Sequence, residues 1–238
     1  YRFKRLSSFE VSAARRLELI FPGGDEADAS DAVELAAGPW RRASATVERD
    51  PGMSMVLVGV VTSDLRDLAA SRALLVGTEI ASARLEARSK TPAEAGGPLW
   101  DRVDVFSWPI GMNSDVGVFA LVGSGPAGTG ERIERDLRAV LDELVSEGPT
   151  ESEVREASRL HIQRLAARRS DPGFWADAVL GGSTFYGRDV SRVLDLEASY
   201  AAVTAPMVRE TLASFLRERG GVSVIIESTP PRPTILRP

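Results

Sequence analysis

The chain has 238 residues, is 43% hydrophobic and 26% charged, and carries a formal charge of −5. This is the composition of a globular protein long enough to bury a core, in one large domain or two small ones. The acidic balance and the lack of a basic, aromatic-bearing stripe argue against nucleic acid as a partner. With no cysteine and a single histidine, His161, disulfides, Cys–zinc sites and thiol nucleophiles are excluded.

No apolar run is long enough to cross a membrane and no signal peptide is visible. The expectation is a soluble protein with no membrane segment; the compartment is unknown, with the cytoplasm slightly favoured. The first residue is Tyr1 rather than a start methionine, so the chain reads as a fragment or a processed product.

In chain order, Leu17–Phe21 reads as a short strand ending at Pro22-Gly-Gly24, and the acidic segment Asp25–Asp31 feeds a short helix through Val33 and Leu35. Gly38-Pro39-Trp40 stops it. Two extended runs, Ala45–Glu48 and Met55–Val61, flank Asp50-Pro-Gly-Met53, which predicts a hairpin or close antiparallel pair. Ser63 or Asp64 is the expected cap of a long helix ending near Arg88, with Leu65, Leu68, Ala69, Val76, Ile80 and Ala83 on its apolar face.

Strands follow at Val103–Trp108 and Asn113–Val122, then a glycine-rich loop, Gly123–Gly130. The next helix puts Ile133, Leu137, Val140, Leu141 and Leu144 on one face and ends at Gly148-Pro149. Thr150-Glu-Ser-Glu153 spells a capping box for another. Asp171-Pro172 starts a helix through Phe174, Trp175, Val179 and Leu180. A further helix lies around Val190–Tyr200, and Thr204 caps one with Val208, Leu212, Phe215 and Leu216 on its apolar face. Gly220-Gly221 ends that helix before a last strand, Val222–Ile226, and a proline-rich tail. This order predicts an α+β fold, a mostly antiparallel β-sheet with helices packed on one face.

Several motifs invite chemistry. Gly123-Ser-Gly-Pro-Ala-Gly128 matches GxGxxG, but no parallel strand follows the helix and Pro126 removes a backbone donor. A flexible strand-to-helix connection fits better than a nucleotide site. His161 lies on an apolar helical face and reads as a packed histidine with one hydrogen bond. No GxSxG occurs. Arg155, Arg159, Arg164, Arg168 and Arg169, among acids, read as a solvated helix face. Lys90, Trp100, Arg102 and Trp108 surround the 91–98 loop, where they line a binding cleft or, for the tryptophans, pack on a sheet face. The residues alone spell no catalytic constellation.

The order of several segments resembles the insulinase/pitrilysin (M16) family of zinc metallopeptidases. Gly148-Pro-Thr-Glu-Ser-Glu-Val-Arg-Glu-Ala157 resembles the family's G-x-T-x-x-E helix start. Val203-Thr-Ala-Pro-Met-Val-Arg209 with its helix and Val222–Ile226 is similar to the family's closing segment. Ala83-Arg84-Leu85 resembles the R-L that closes the long first helix, and Leu17–Gly24 with Val33–Trp40 resembles the end of a preceding domain. The resemblance implies that residues 1–41 are the tail of a preceding homologous domain and a linker, 42–228 a non-catalytic domain, and 229–238 a proline-rich tail.

In that family zinc sits on an H-x-x-E-H helix of another domain, which a chain with one histidine cannot supply. The resemblance therefore implies no catalytic residue, no metal and no cofactor in this chain, zinc in a partner domain or chain, and a peptide as substrate. The chain would be a pseudoenzyme half, as a heterodimer or within one polypeptide. The alternative is a structural or assembly subunit of the same fold. The family places a substrate-holding Arg and Tyr just after the R-L; here that passage offers Arg88, Lys90, Trp100 and Arg102 as the substrate-binding residues, and the L-R-E…Y pattern itself is absent.

Overall fold

The computed structural model describes residues 40–48, 52–63, 67–92, 97–109, 116–176 and 195–229. The features predicted on residues 1–39, at Asp50-Pro51, Asp64 and Leu65, at the Asn113 start of a strand, at Val179–Leu180 and Val190, and in the tail after Thr229 lie outside them.

Among the described residues five strands form one sheet: β1 (Trp40–Glu48), β2 (Met53–Ser63), β3 (Arg102–Pro109), β4 (Val116–Pro126) and β5 (Gly221–Thr229). Their spatial order is β1-β5-β2-β4-β3. All neighbouring pairs are antiparallel except β1 with β5. The fold is α+β with a mostly antiparallel sheet.

The predicted β1–β2 hairpin does not form. The last described strand, β5, inserts between them, pairing Trp40 with Gly221 on one side and Leu57 with Val224 on the other. The Asp-Pro-Gly signal is local, whereas β5 carries apolar residues toward both sheet faces (Val222, Val224 and Ile225) and gains most from a central position.

The helices are α1 (Leu68–Ser89), α2 (Gly130–Ser146), α3 (Glu151–Arg168), α4 (Pro172–Trp175), α5 (Leu196–Ala201) and α6 (Ala205–Arg219). Asp67, not Ser63 or Asp64, caps α1, its side chain accepting from the N–H groups of Ala69 (2.9 Å) and Ala70 (3.3 Å). Ser63 is the last residue of β2, opposite Val116. Ala69 and Ala83 are exposed, while Ala73, Leu74, Gly77, Ile80 and Ala81 are buried. The apolar surface of α1 is broader than a single stripe because α1 packs on the sheet, on α3 and on α6, which lies beside it on the sheet.

At its crossing, Gly77 faces Phe119 of β4; a Cβ there would sit 3.4 Å from the ring and 3.5 Å from Val208 of α6. The expected α2 face is fully buried at all five positions. Thr204 caps α6, accepting from the Met207 N–H at 3.4 Å. Arg42 ties edge strand β1 to α2 through Glu131 and Glu134, both at 3.1 Å, and the Arg138 guanidinium lies 4.1 Å from the centre of the Trp40 ring.

Candidate functional site

The end of α1 is where the sequence places a site, and its geometry starts from Arg84. The Arg84 guanidinium donates to both carboxylate oxygens of Glu153 (2.8 and 3.1 Å) and to the carbonyl of Gly148 (3.1 Å). Glu153 is also the return arm of the predicted capping box: it accepts from the Thr150 N–H at 2.7 Å, while its own N–H donates to the Thr150 hydroxyl at 3.2 Å. Gly148, at φ +80°, adopts the left-handed conformation that ends α2. One side chain thus joins the end of α1, the end of α2 and the start of α3. The hydrogen bond from Arg84, with those of Thr150, holds the Glu153 carboxyl far below its ordinary range, at about 2.

One turn further along α1, Arg88 pairs with Glu143 of α2. The chain then turns into the 91–100 loop, where the Gly97 carbonyl accepts from Arg132 (2.9 Å) and the Asp101 N–H donates to the Ser124 carbonyl (2.7 Å). Between α1, this loop and α2 lies a cavity of about 140 Å³ lined by Arg88, Thr91, Gly97, Pro98, Trp100 and Asp136. At roughly 30 Å³ per water, it has room for a few waters or one small side chain. Trp100 is 9% exposed, and its indole N–H is buried with no hydrogen-bond partner. Burial pushes the Asp136 carboxyl up, against the pull of Arg132, Arg88 and Arg135. The cavity wall thus carries the Arg88 guanidinium, already paired with Glu143, the Trp100 side chain and a poorly solvated carboxyl.

Two of the four expected substrate-binding residues, Arg88 and Trp100, meet at this cavity. Lys90 caps α1 and is exposed, outside the lining. Arg102 is exposed and opposite Ser124. Strand alternation sets it on the sheet face away from α2, because Gly123, one residue back, faces Ile133. Of the open alternatives for Trp100, the structure gives a buried indole at a cavity wall. Asp136 was not singled out by sequence reasoning; beside the buried Leu137 it reads as the polar flank of an amphipathic helix.

The glycine-rich segment is not a loop along most of its length. Gly123 and Gly125 lie within β4, opposite Val56 and Ser54. A Cβ at Gly123 would come within 2.8 Å of Ile133, so glycine there admits α2 close to the sheet. The start of α2, which in a nucleotide-binding protein would receive phosphate, receives Glu227 of β5 instead. The Glu227 carboxylate accepts from the N–H groups of Gly128 (2.9 Å) and Gly130 (3.1 Å) and from the Ser54 hydroxyl (2.6 Å). The chain's own acid fills the anion position, which removes the physical basis of the nucleotide reading. Glu227→Gln turns an amide toward these donors and is expected to cost about 2 kcal/mol, from the worth of charge-assisted hydrogen bonds. Urea denaturation measures it, as a lower midpoint at unchanged slope.

His161 is packed, as its surroundings in the sequence suggest. Its Nε2 lies 2.9 Å from the Leu75 carbonyl, so that nitrogen carries the proton, and its ring stacks on Tyr200 at 4.8 Å. Burial pushes its pKa down. The arginines of α3 are exposed, with Arg159 paired to Glu156 and Arg164 to Glu79. Among the described residues no group of three or more metal-ligating side chains is placed to hold a metal ion, and no helix is long and apolar enough to cross a membrane.

These elements define an α+β domain of a sheet and helices whose helix ends are tied by the partly buried Arg84. No protein-family model and no curated protein matches the chain. Solved structures do. The chain is similar to an inactive domain of an M16 peptidase from Pseudomonas fluorescens, at 21% identity and TM-score 0.61, over 81% of this chain and 46% of that one. It is similar to the periplasmic protease PqqL from Escherichia coli, at 14% identity and TM-score 0.63, over 79% and 21%. A chain of complex III2 from Candida albicans matches at 14% identity and TM-score 0.62, over 78% and 45%. The fold is therefore that of M16-like peptidase domains, inactive ones among them. The chain spans about a fifth to under half the length of these proteins.

Proposed function

We propose that this chain is the non-catalytic part of an M16-type zinc metallopeptidase, which closes over a peptide while another domain or chain supplies zinc. The observation that carries this reading is the combination of an M16-like fold with a single histidine, His161, whose proton-bearing nitrogen is engaged by a backbone carbonyl. On this reading residues 42–228 are the closing domain, 1–41 the end of a homologous domain and its linker, and the partner forms the other wall of a peptide cleft. Arg88 and Trp100 then receive a peptide group at the cavity, with Lys90 at its approach. Arg102, on the other sheet face, has no part in that pocket.

The test is cleavage of an unstructured peptide by the zinc-bearing M16 subunit or domain of the same source, with and without this chain. Cleavage that depends on the chain, and falls at least tenfold with Trp100→Ala while assembly is kept, supports the reading. Cleavage indifferent to the chain sinks it. The similarity to a chain of complex III2 favours a second reading, a structural subunit without a proteolytic role. That reading predicts assembly with a partner and no effect on cleavage.

A further inference from the structure

The single histidine of the chain sits where a second proton is hard to place. His161 is on α3, and its side chain is only 13% exposed. Its Nε2–H donates to the Leu75 carbonyl of α1, so a further proton must enter at Nδ1. The ring lies flat on Tyr200 of α5, with 4.8 Å between centroids and 10° between planes. The same Tyr200 ring carries the Arg72 guanidinium of α1, 4.7 Å from its centre. A cation on an aromatic ring is ordinarily attractive. Here a second cation would join one already in place, where little water screens the two.

The charges around the ring lean the same way. From α1 come the buried Arg72 and Glu79, and from α3 itself comes Arg164. Among the described residues Glu79 is the only carboxylate in ion-pair reach of His161, at 3.9 Å, and it is already paired with Arg164. Glu197 of α5 pairs with Arg169 instead. Burial lowers the His161 pKa most, and Arg164 and Arg72 lower it further, against the Leu75 carbonyl and Glu79.

What the ring holds is a short element. Six residues are too few for a helix to be stable alone, so α5 keeps its place by packing on α3 and α1. Tyr200 is its buried side chain, and Ser199 beside it accepts from Arg72 at 3.1 Å. A cavity of about 580 Å³, lined in part by Arg72, Ser199, Ala202 and Met207, runs along the seam of α5 with the starts of α1 and α6 and leaves α5 unsupported there.

We infer that His161 is a proton-operated clamp on α5: the neutral ring holds Tyr200, and with it α5, against α1 and α3, and a proton on Nδ1 releases them. The docked state has the lower pKa, so docking is complete above the ordinary histidine value of 6.5 and weakens as pH falls below it.

The test reads the full chain by amide hydrogen exchange over residues 195–203, corrected for the intrinsic effect of pH, together with the NMR titration of the imidazole. Because the chain has one histidine, its signals need no assignment. Between pH 7.5 and 5.5 the protection of 195–203 is expected to fall by up to about tenfold, the ceiling set by an undocked histidine of ordinary pKa. His161→Phe keeps a ring on Tyr200 and cannot titrate; its protection should change by less than about twofold over the same range. His161→Gln keeps a donor for the Leu75 carbonyl and serves as a second non-titrating variant should the first fail to fold. Three results each overturn the clamp: an imidazole that titrates at or above its ordinary value, parent protection that changes by less than about twofold, or an equal fall in the non-titrating variants.

Discussion

Phe119→Ala is expected to lower stability by about 3–5 kcal/mol, the cost of a large buried aromatic truncated in a core that cannot fully collapse. Phe119 is completely buried in β4, opposite Val60 of β2 and Ser107 of β3. Its ring meets α1 at Gly77, where Val208 and Leu212 of α6 also converge. A cavity here is lined by backbone of α1 and by side chains from two other elements, none of which can move in alone. Phe119→Leu keeps most of the volume and should cost no more than about 1.5 kcal/mol. Chemical denaturation reads both as shifts of midpoint at constant slope. Equal costs for the two variants would mean that α1 closes onto the sheet when the ring is removed.

Arg84→Ala is expected to cost about 2 kcal/mol and to remove much of the chain's sensitivity to acid. Glu153 titrates at about 2 in the folded chain, against an ordinary value of 4.5. A shift of that size corresponds to at most about 3 kcal/mol, and because the side chains of Arg84 and Glu153 remain 19% and 31% exposed, screening by water reduces it. The folded-state pKa is the lower one, so the contribution is fully present above about pH 4.5. It is lost progressively as pH falls from there through 2. Stability of the parent chain should therefore drop over that window more steeply than that of Arg84→Ala, in which Glu153 keeps only its hydrogen bonds to Thr150. Parallel stability–pH curves for the two proteins would show that Arg84 does not set the Glu153 titration. Glu153→Gln with Arg84→Ala completes a double-mutant cycle whose coupling energy isolates the pair.

What the sequence made legible follows the range of each signal. The α2 face, the Thr150–Glu153 capping box and the Thr204 cap are each written within a few residues of the structure they form, and the structure has them. The antiparallel-sheet class was legible from the order of elements. The partner of β1 was not, because nothing near Asp50-Pro-Gly52 records that a strand at Gly221–Thr229 competes for the same edge. The glycine-rich segment misled for a related reason. Gly123 is set by Ile133, ten residues on, and the N–H groups of Gly128 and Gly130 by Glu227, a carboxylate a hundred residues away. At the candidate cavity, Arg88 and Trp100, both drawn from the passage after Arg84-Leu85, come together in the lining. Asp136 escaped because its place in the lining depends on how α2 lies against Gly97–Trp100. Arg102 separated from the others by the two-residue period of a strand, a fact that needs the register and not merely the order of residues.

The insertion of β5 between β1 and β2 also governs when the domain can fold during synthesis. β1 finds its only described strand partner in β5, the last of the described strands to be made. At ordinary elongation rates roughly 10–35 s separate the two. For that interval β1 has no ladder to join and β2 presents one open edge, while β2, β3, β4 and α1 can already assemble. Completion of the sheet thus waits for β5, and a nascent chain cut short before Gly221 would leave unpaired the edges of β1 and β2 that β5 covers, the form most prone to join a neighbour.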